Sequence, residues 1–334
     1  MGRAGEETIA SASEHVERVL TSLSSGSAPA RSRLAASWQR SFQAHGLDPS
    51  LRGEVGRVEE IDLRTRRERH DEVLRIATPR IDSLYGLVGQ SGCGVLLTDA
   101  EGIVLEQRCA DGDAEVFRAW GLSVGSDWSE AAEGTNGIGT CLAENRQVTI
   151  HRDEHFLARN IGMSCMDAPI YGPDGLLLAA LDVSSARSDQ TEAFNQLIGA
   201  MVAQTARQIE ADIFRAAFPG RRILSAGDDK AGAAALLAVD GDDLVIGASR
   251  AARRLCGLAA SGGFDPVPAT DLLDREGGGR GLEGAERAAV VRALARARGN
   301  VSQAARALGI GRATLYRRMN RLGLAQSGAD LSRN

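Results

Sequence analysis

The hydrophobic positions of this chain change their period along its length. Up to about residue 90 they recur at helical spacing. Leu34, Trp38 and Phe42 return every four residues, which predicts one apolar stripe on a helix that Gly46 and Pro49 end. Residues 57–90 read as helical with a break at Pro79, and Leu84, Leu87 and Val88 fall on one stripe that leads into a sheet and can pair with its copy in a dimer. Residues 1–30, rich in Ser, Ala and Glu, read as a frayed helix followed by the loose linker SLSSGSAPA.

From Cys93 the pattern becomes strand-like. CGVLLTD and GIVLEQ predict two strands joined by the turn Asp99-Ala100-Glu101-Gly102. A helix follows around Asp113 to Trp120. WSEAAEGTNGIGTCLAEN reads as a loop running into a helix, QVTIH as a strand and DEHFLARN as a short helix. SCMDAPIY and LLLAALDVS form a hairpin around Gly172-Pro173-Asp174-Gly175, and an amphipathic helix runs from about Asp189 to Ala217. Strands and helices in this order predict an α+β domain with an antiparallel sheet. Residues 235–258 repeat a smaller strand, Asp-Gly turn, strand and helix. Residues 261–281, with Pro266, Pro268 and GGGRG, read as a flexible linker.

Helical spacing returns in NVSQAARALGIGRATLYRRMNRLGL, Asn300 to Leu324, with the layout of a helix-turn-helix. Ser302 is the expected N-cap of the first helix, Gly309 suits the left-handed residue that ends it, and Gly311 caps the second. On that second helix Leu315, Met319 and Leu322 share the buried face. The opposite face carries Thr314, Arg317 and Arg321, with Tyr316 and Asn320 beside them and Arg312 in the first turn. Guanidinium groups bind phosphates or take guanine edges bidentately, so this face suits duplex DNA.

Charge adds to the picture. Residues 282–324 hold nine Arg and two Glu, a net +7, while the whole chain carries −5; the remainder therefore carries −12. A basic end on an acidic body suits an electrostatic DNA footprint. No apolar run reaches membrane-spanning length, and MGRAGEETIA has no signal-peptide pattern, so a cytoplasmic location and no membrane partner are expected. The five cysteines lie far apart without a C-x-x-C pair, which points to small buried hydrophobes rather than zinc or disulfides. HRDEH places His151 and His155 four apart, but it is not H-E-x-x-H and no third ligand is evident. No metal and no cofactor are expected.

Residues 283–324 resemble the Fis-type helix-turn-helix of bacterial enhancer-binding regulators. The resemblance implies that the helix near Glu283 to Ala297 helps pair two subunits, and that Arg312, Thr314, Tyr316 and Arg317 fall where the family touches DNA. EGTNGIGT (133–140), EHF (154–156), APIYGPDG (168–175) and LDVSS (181–185) resemble a GAF domain of the AcoR type, and SWQRS…GLDP resembles the N-terminal signature of that group. GAF domains hold a small molecule between the sheet and the loops over it. The residues expected near that pocket are Trp128, Glu133, Thr135, Asn136, Thr140, His155 and Cys165. Each serves equally as a pocket wall or as part of a structural capping loop. The strand pair at 235–258 resembles the opening of a PAS domain, cut short.

The resulting organisation is an N-terminal helical region (1–80), a GAF-like sensor (81–217), a PAS-like remnant (222–260), a linker (261–281) and an all-α Fis-type helix-turn-helix (282–326). AcoR-type activators carry an ATPase module between sensor and DNA-binding end. Here there is no G-x-x-x-x-G-K-[ST] loop, and Lys230 sits in GDDKAGA, which cannot cradle phosphates in that way. The chain is thus expected to be a non-enzymatic, ligand-responsive, DNA-binding transcriptional regulator. Its expected partners are double-stranded DNA, a small effector, a second copy of itself and RNA polymerase. Two other classes stay open. One is a GAF-fold redox enzyme of methionine-sulfoxide-reductase type, with Cys141 or Cys165 as nucleophile. The other is an architectural DNA-binding protein.

Overall fold

The structure, a computed structural model, describes residues 2–25, 27–185, 187, 190–228, 232–263, 265–273 and 282–324. It divides into two compact units, residues 1–266 and 267–334.

The first unit opens with five helices: α1 (Gly2–Ser24), α2 (Ala28–Arg31), α3 (Arg33–Gln43), α4 (Glu60–Arg69) and α5 (Asp71–Val88). Three expectations are corrected here. Pro79 does not break the helix; α5 runs through it, because Pro79 lies on the exposed side where water can satisfy the carbonyl left without its N–H partner. The break falls at His70 instead. The buried line of α5 is Leu74, Ala77, Ile81, Leu84 and Val88, so Leu87, about 100° round from Val88, is 70% exposed rather than on the stripe. On α3 each four-residue step drifts about 40°, which carries Phe42 out to 44% exposure while Ser37, Trp38 and Ser41 turn inward.

β1 (Cys93–Asp99), β2 (Val104–Arg108), α6 (Ala114–Ala119), α7 (Glu130–Glu133), α8 (Gly137–Glu144), β3 (Val148–His151), β4 (Ser164–Tyr171), β5 (Leu177–Ser185) and α9 (Glu192–Ala217) follow. The segment expected as one short helix at 153–160 is instead two single 3-10 turns, 152–154 and 158–160. The five strands form one antiparallel sheet in the order β2-β1-β5-β4-β3. Alternation assigns its faces. Met166, Ala168, Ile170, Leu181 and Val183 pack with α5 and α9. Leu96, Cys165 and Ala180 point the other way, into a second cluster with Phe117, Trp128, Ile138 and Cys141. The sheet is thus covered on both sides, by two long helices on one face and by α6–α8 with their loops on the other.

β6 (Arg222–Asp228), β7 (Ala234–Val239) and β8 (Leu244–Ala248) make a smaller antiparallel array, followed by α10 (Arg250–Cys256). β6 was not anticipated as a strand. Phe214 of α9 packs with Leu236 and Ala238, and Phe218 lies flat on Gly247, where an added Cβ would sit 2.1 Å from its ring. Gly175, at φ +79° in the β4–β5 turn, admits the Ala260 carbonyl at a position where a Cβ would be 2.5 Å away.

The second unit holds α11 (Ala269–Leu273), α12 (Leu282–Arg296), α13 (Val301–Ala307) and α14 (Arg312–Arg321). Part of the segment expected as a linker is therefore helical, while residues 274–281 of it, like Lys230, lie outside the described residues. Among the described residues no helix is long and apolar enough to cross a membrane.

Candidate nucleic-acid interface and sensor interior

α13 starts two residues earlier than expected: Asn300, not Ser302, is the N-cap, its Oδ1 accepting from Gln303 N at 3.1 Å. The amide reaches the free N–H groups directly, which leaves Ser302 inside the first turn. Gly309 takes φ +65° after the helix, and Gly311 precedes α14 without a side-chain cap. Leu315, Met319 and Leu322 are buried with Val290 and Ala293 of α12 and with Ala304 and Ala305 of α13. Burial of one face fixes what the other presents. Arg312, Tyr316 and Arg317 are exposed and Thr314 is half-buried. The Arg312 guanidinium lies over the Tyr316 ring, 5.6 Å from its centroid, and Arg317 Nη2 reaches Thr314 Oγ1 at 3.5 Å. Arg321 differs from the rest: it pairs with Glu286 of α12, whose other oxygen lies 3.1 Å from Arg318 Nη1. That anion braces α14 against α12 and partly offsets the charge of Arg321.

The seven residues expected around the sensor pocket are all buried. Trp128 Nε1 donates to Gly121 O at 2.9 Å. Glu133 pairs with Arg159 and accepts from Asn160 Nδ2 at 3.1 Å. Asn136 caps α8, its Oδ1 accepting from Gly139 N at 2.8 Å. Thr135 and Thr140 belong to a polar knot with α3. Ser37 Oγ lies 2.7 Å from Thr135 Oγ1 and donates to Glu130 Oε1 at 3.0 Å, Thr140 Oγ1 lies 3.3 Å from the same oxygen, and Arg40 clamps the buried Glu130 carboxylate. Trp38 Nε1 donates to Glu154 O at 2.9 Å, and Phe156 N to Thr135 O at 2.9 Å. SWQRS, EGTNGIGT and EHF are therefore three walls of one junction. A cleft of about 170 Å³ opens beside it, lined by Ser37, Thr135, Thr140, Glu144, Thr149 and Glu154 among others.

His155 and Cys165 face each other, Nε2 to Sγ 3.5 Å. His155 Nδ1 lies 2.8 Å from Arg152 O, so it carries the proton and leaves Nε2 to accept from the thiol. Burial lowers the imidazole to about 4 and pushes the Cys165 thiol well above its ordinary value. The dyad is neutral and enclosed, the opposite of an activated thiolate. Cys141 is likewise buried, with its thiol raised by burial. His151 bonds Ser164 Oγ at 2.7 Å and Asn195 Nδ2 at 3.0 Å, and among the described residues no group of three or more His, Cys, Asp or Glu is placed to hold a metal ion.

Two residues escaped the sequence reading. Asp167 and Asp182 stand directly opposite each other in the β4–β5 ladder, both fully buried, on the face turned toward α8. Burial first, and then the like charge of Asp182, drive Asp167 well above the usual carboxylate range; burial raises Asp182 to about 7, against the pull of Ser184 Oγ, 2.8 Å away. A signal was present: each is a lone acid in an apolar run, and the two are symmetric about the Gly172–Gly175 turn.

The chain matches the GAF domain family over residues 72–213 and the family described as bacterial regulatory protein, Fis family, over residues 281–322. It is 36% identical over 205 residues to the acetoin catabolism regulatory protein of Cupriavidus necator, covering 59% of this chain and 31% of that one. It is 31% identical over 157 residues to the acetoin dehydrogenase operon transcriptional activator AcoR of Bacillus subtilis (46% and 25%). To the propane 2-monooxygenase operon transcriptional activator MimR of Mycolicibacterium smegmatis it is 33% identical over 138 residues (41% and 22%). The chain thus spans less than a third of the length of each of these relatives.

Proposed function

Because the chain joins a GAF domain to a Fis-type helix-turn-helix on the plan of the AcoR-type acetoin regulators, we propose that it is a DNA-binding transcriptional regulator whose GAF domain reads a small molecule. The observation that carries this reading is the two-faced α14: Leu315 and Met319 buried, Arg312, Tyr316 and Arg317 outward. In this reading Arg312, Thr314, Tyr316 and Arg317 contact the duplex, and Arg321 holds α14 in place through Glu286. Residues 1–80 and 222–260 flank the sensor as support. A second copy of the chain is the fitting partner, since Leu282 and Val291 of α12 and Leu87 of α5 are apolar and exposed. Acetoin, named for two relatives, sets the scale of effector to screen first. Residues 218–280 contain no phosphate-binding loop, so the proposed regulator acts by occupancy without ATP hydrolysis, and RNA polymerase is the partner it would recruit or block.

A gel shift tests the interface. Arg317→Ala should weaken operator binding about tenfold or more, with the melting temperature unchanged because the side chain is exposed. Unaltered binding would remove Arg317 from the interface. Turnover of ATP by the pure chain above background would refute the occupancy mechanism.

A further inference from the structure

The four arginines of α14 are not held alike. The Arg312 guanidinium lies over Tyr316 and Arg317 reaches Thr314, neutral partners that leave the charge of each intact. Arg318 and Arg321 turn to an acid. Arg321 Nη2 pairs with Glu286 Oε2, and Arg318 Nη1 lies 3.1 Å from Glu286 Oε1. Residues 282–324 set two glutamates against nine arginines, and the other glutamate, Glu283, is exposed near the start of α12. Glu286, three residues further on, is 20% exposed at its side chain, and its Oε1 is closed off from solvent. Water screens such a carboxylate less, so its hold on a guanidinium is firmer than that of an open surface pair. Arg321 follows Arg317 by four residues and so stands on the same face of α14. One acid of α12 thus engages half of the guanidinium groups on α14 and leaves the other half unopposed.

Resting on the reading that α14 enters a duplex, we infer that Glu286 is a specificity-determining residue: it occupies Arg318 and Arg321, holds down affinity for DNA of any sequence, and leaves Arg312 and Arg317 to read the operator. The two kinds of affinity have different sources. Phosphate contacts attract every sequence and supply essentially all non-specific binding, whereas discrimination comes from base edges. In the operator complex, base contacts set the register and α14 must enter at one angle, which the tie from Glu286 to α12 fixes. On other sequences no register is set, and a free guanidinium takes whichever phosphate is near. The tie therefore favours the first complex and disfavours the second. For a regulator that ratio matters more than affinity alone, because the operator competes with every other site in the genome.

Fluorescence anisotropy of the full chain tests this with two duplexes of equal length. One carries the sequence that the chain enriches from genomic fragments, and the other has the same bases scrambled. Each is titrated at salt between about 50 and 200 mM. Glu286→Gln should bind the scrambled duplex about threefold or more tightly at the low end, with a log–log salt slope steeper by about 0.9, one added phosphate contact. The operator-to-scrambled ratio should fall about threefold or more. Adding Arg321→Ala to Glu286→Gln should return the slope to that of the parent. Glu286→Asp keeps the charge and should stay within about twofold of the parent on both duplexes. Glu283→Gln removes the same charge from an exposed position and should leave the slope unchanged. If Glu286→Gln loses helix content, Arg321→Ala alone decides: its slope on the scrambled duplex should equal the parent's, and a slope shallower by about 0.9 would place Arg321 on a phosphate and overturn the assignment. Glu286→Gln binding both duplexes more weakly by one factor would make Glu286 a structural brace only. That result, an unchanged slope, or an equal steepening in Glu283→Gln each overturns the specificity role while the regulator reading stands. A parent that holds neither duplex, or both equally, sinks the regulator reading and this role with it.

Discussion

Asp182 and His155 pull stability in opposite directions with pH. The folded-state value of Asp182 is raised from 3.8 to about 7, so across that window the folded chain keeps a proton that the unfolded chain has released, and stability falls as pH rises. His155 is lowered from 6.5 to about 4, so the unfolded chain takes up a proton that the folded chain excludes, and stability falls as pH drops through that window. Asp182→Asn removes the first effect and leaves the second. Its melting temperature should exceed that of the parent most at pH 7.5 and least at pH 5, with a stability gain on the order of a few kcal/mol at the upper end. A difference that does not vary with pH would contradict the assignment. The acids were visible as letters in the hairpin strands, and the turn fixes their pairing. That both are sealed from solvent was not legible, because it depends on how closely α8 settles over the sheet, which Gly137 permits by carrying no side chain. The seven pocket candidates show the reverse. Their burial follows from the motifs, but Asn136 caps α8 and Glu133 holds Arg159 and Asn160, tasks that only the tertiary structure shows.

At the scale of elements, periodicity succeeded where one face is apolar and failed where the buried face is polar. The strands of the main sheet and the stripe of α14 could be read directly. α3 could not, because its buried face is Ser37, Trp38 and Ser41, a polar surface that matches the hydroxyls and carboxylate of the 130–140 loop. This gives α3 a measurable role. Arg40→Ala should leave Glu130, 5% exposed, without its main counter-charge and cost roughly 2–4 kcal/mol in urea unfolding, below the fully buried figure because Arg40 is about a third exposed. A loss under about 0.5 kcal/mol would mean the junction is loose. In the second unit Leu315→Ala should cost roughly 2–4 kcal/mol of the helix-turn-helix fold and lower DNA binding through unfolding, whereas Arg317→Ala should lower binding alone. Circular dichroism melts beside the gel shifts distinguish the two routes.

At the scale of the whole molecule, an acidic body is followed by a basic helix-turn-helix, and the hydrophobic period and the charge together marked that division in the sequence. The segment 222–260 was legible only in part: β7 and β8 flank the Asp-Gly turn and α10 follows as expected, whereas β6 has its partner in β7 and no strong pattern of its own. If the basic end grips a duplex, affinity should fall steeply between 50 and 200 mM salt, by about tenfold or more, as phosphate contacts release counterions. The most direct measurement is selection of genomic duplex fragments by the full chain, with Arg312→Ala and Arg317→Ala run in parallel. The account predicts an enriched sequence with two half-sites about one helical turn, roughly 34 Å, apart, and loss of that enrichment in both variants. Fragments retained without any shared sequence, or the same sequence retained by both variants, would contradict it.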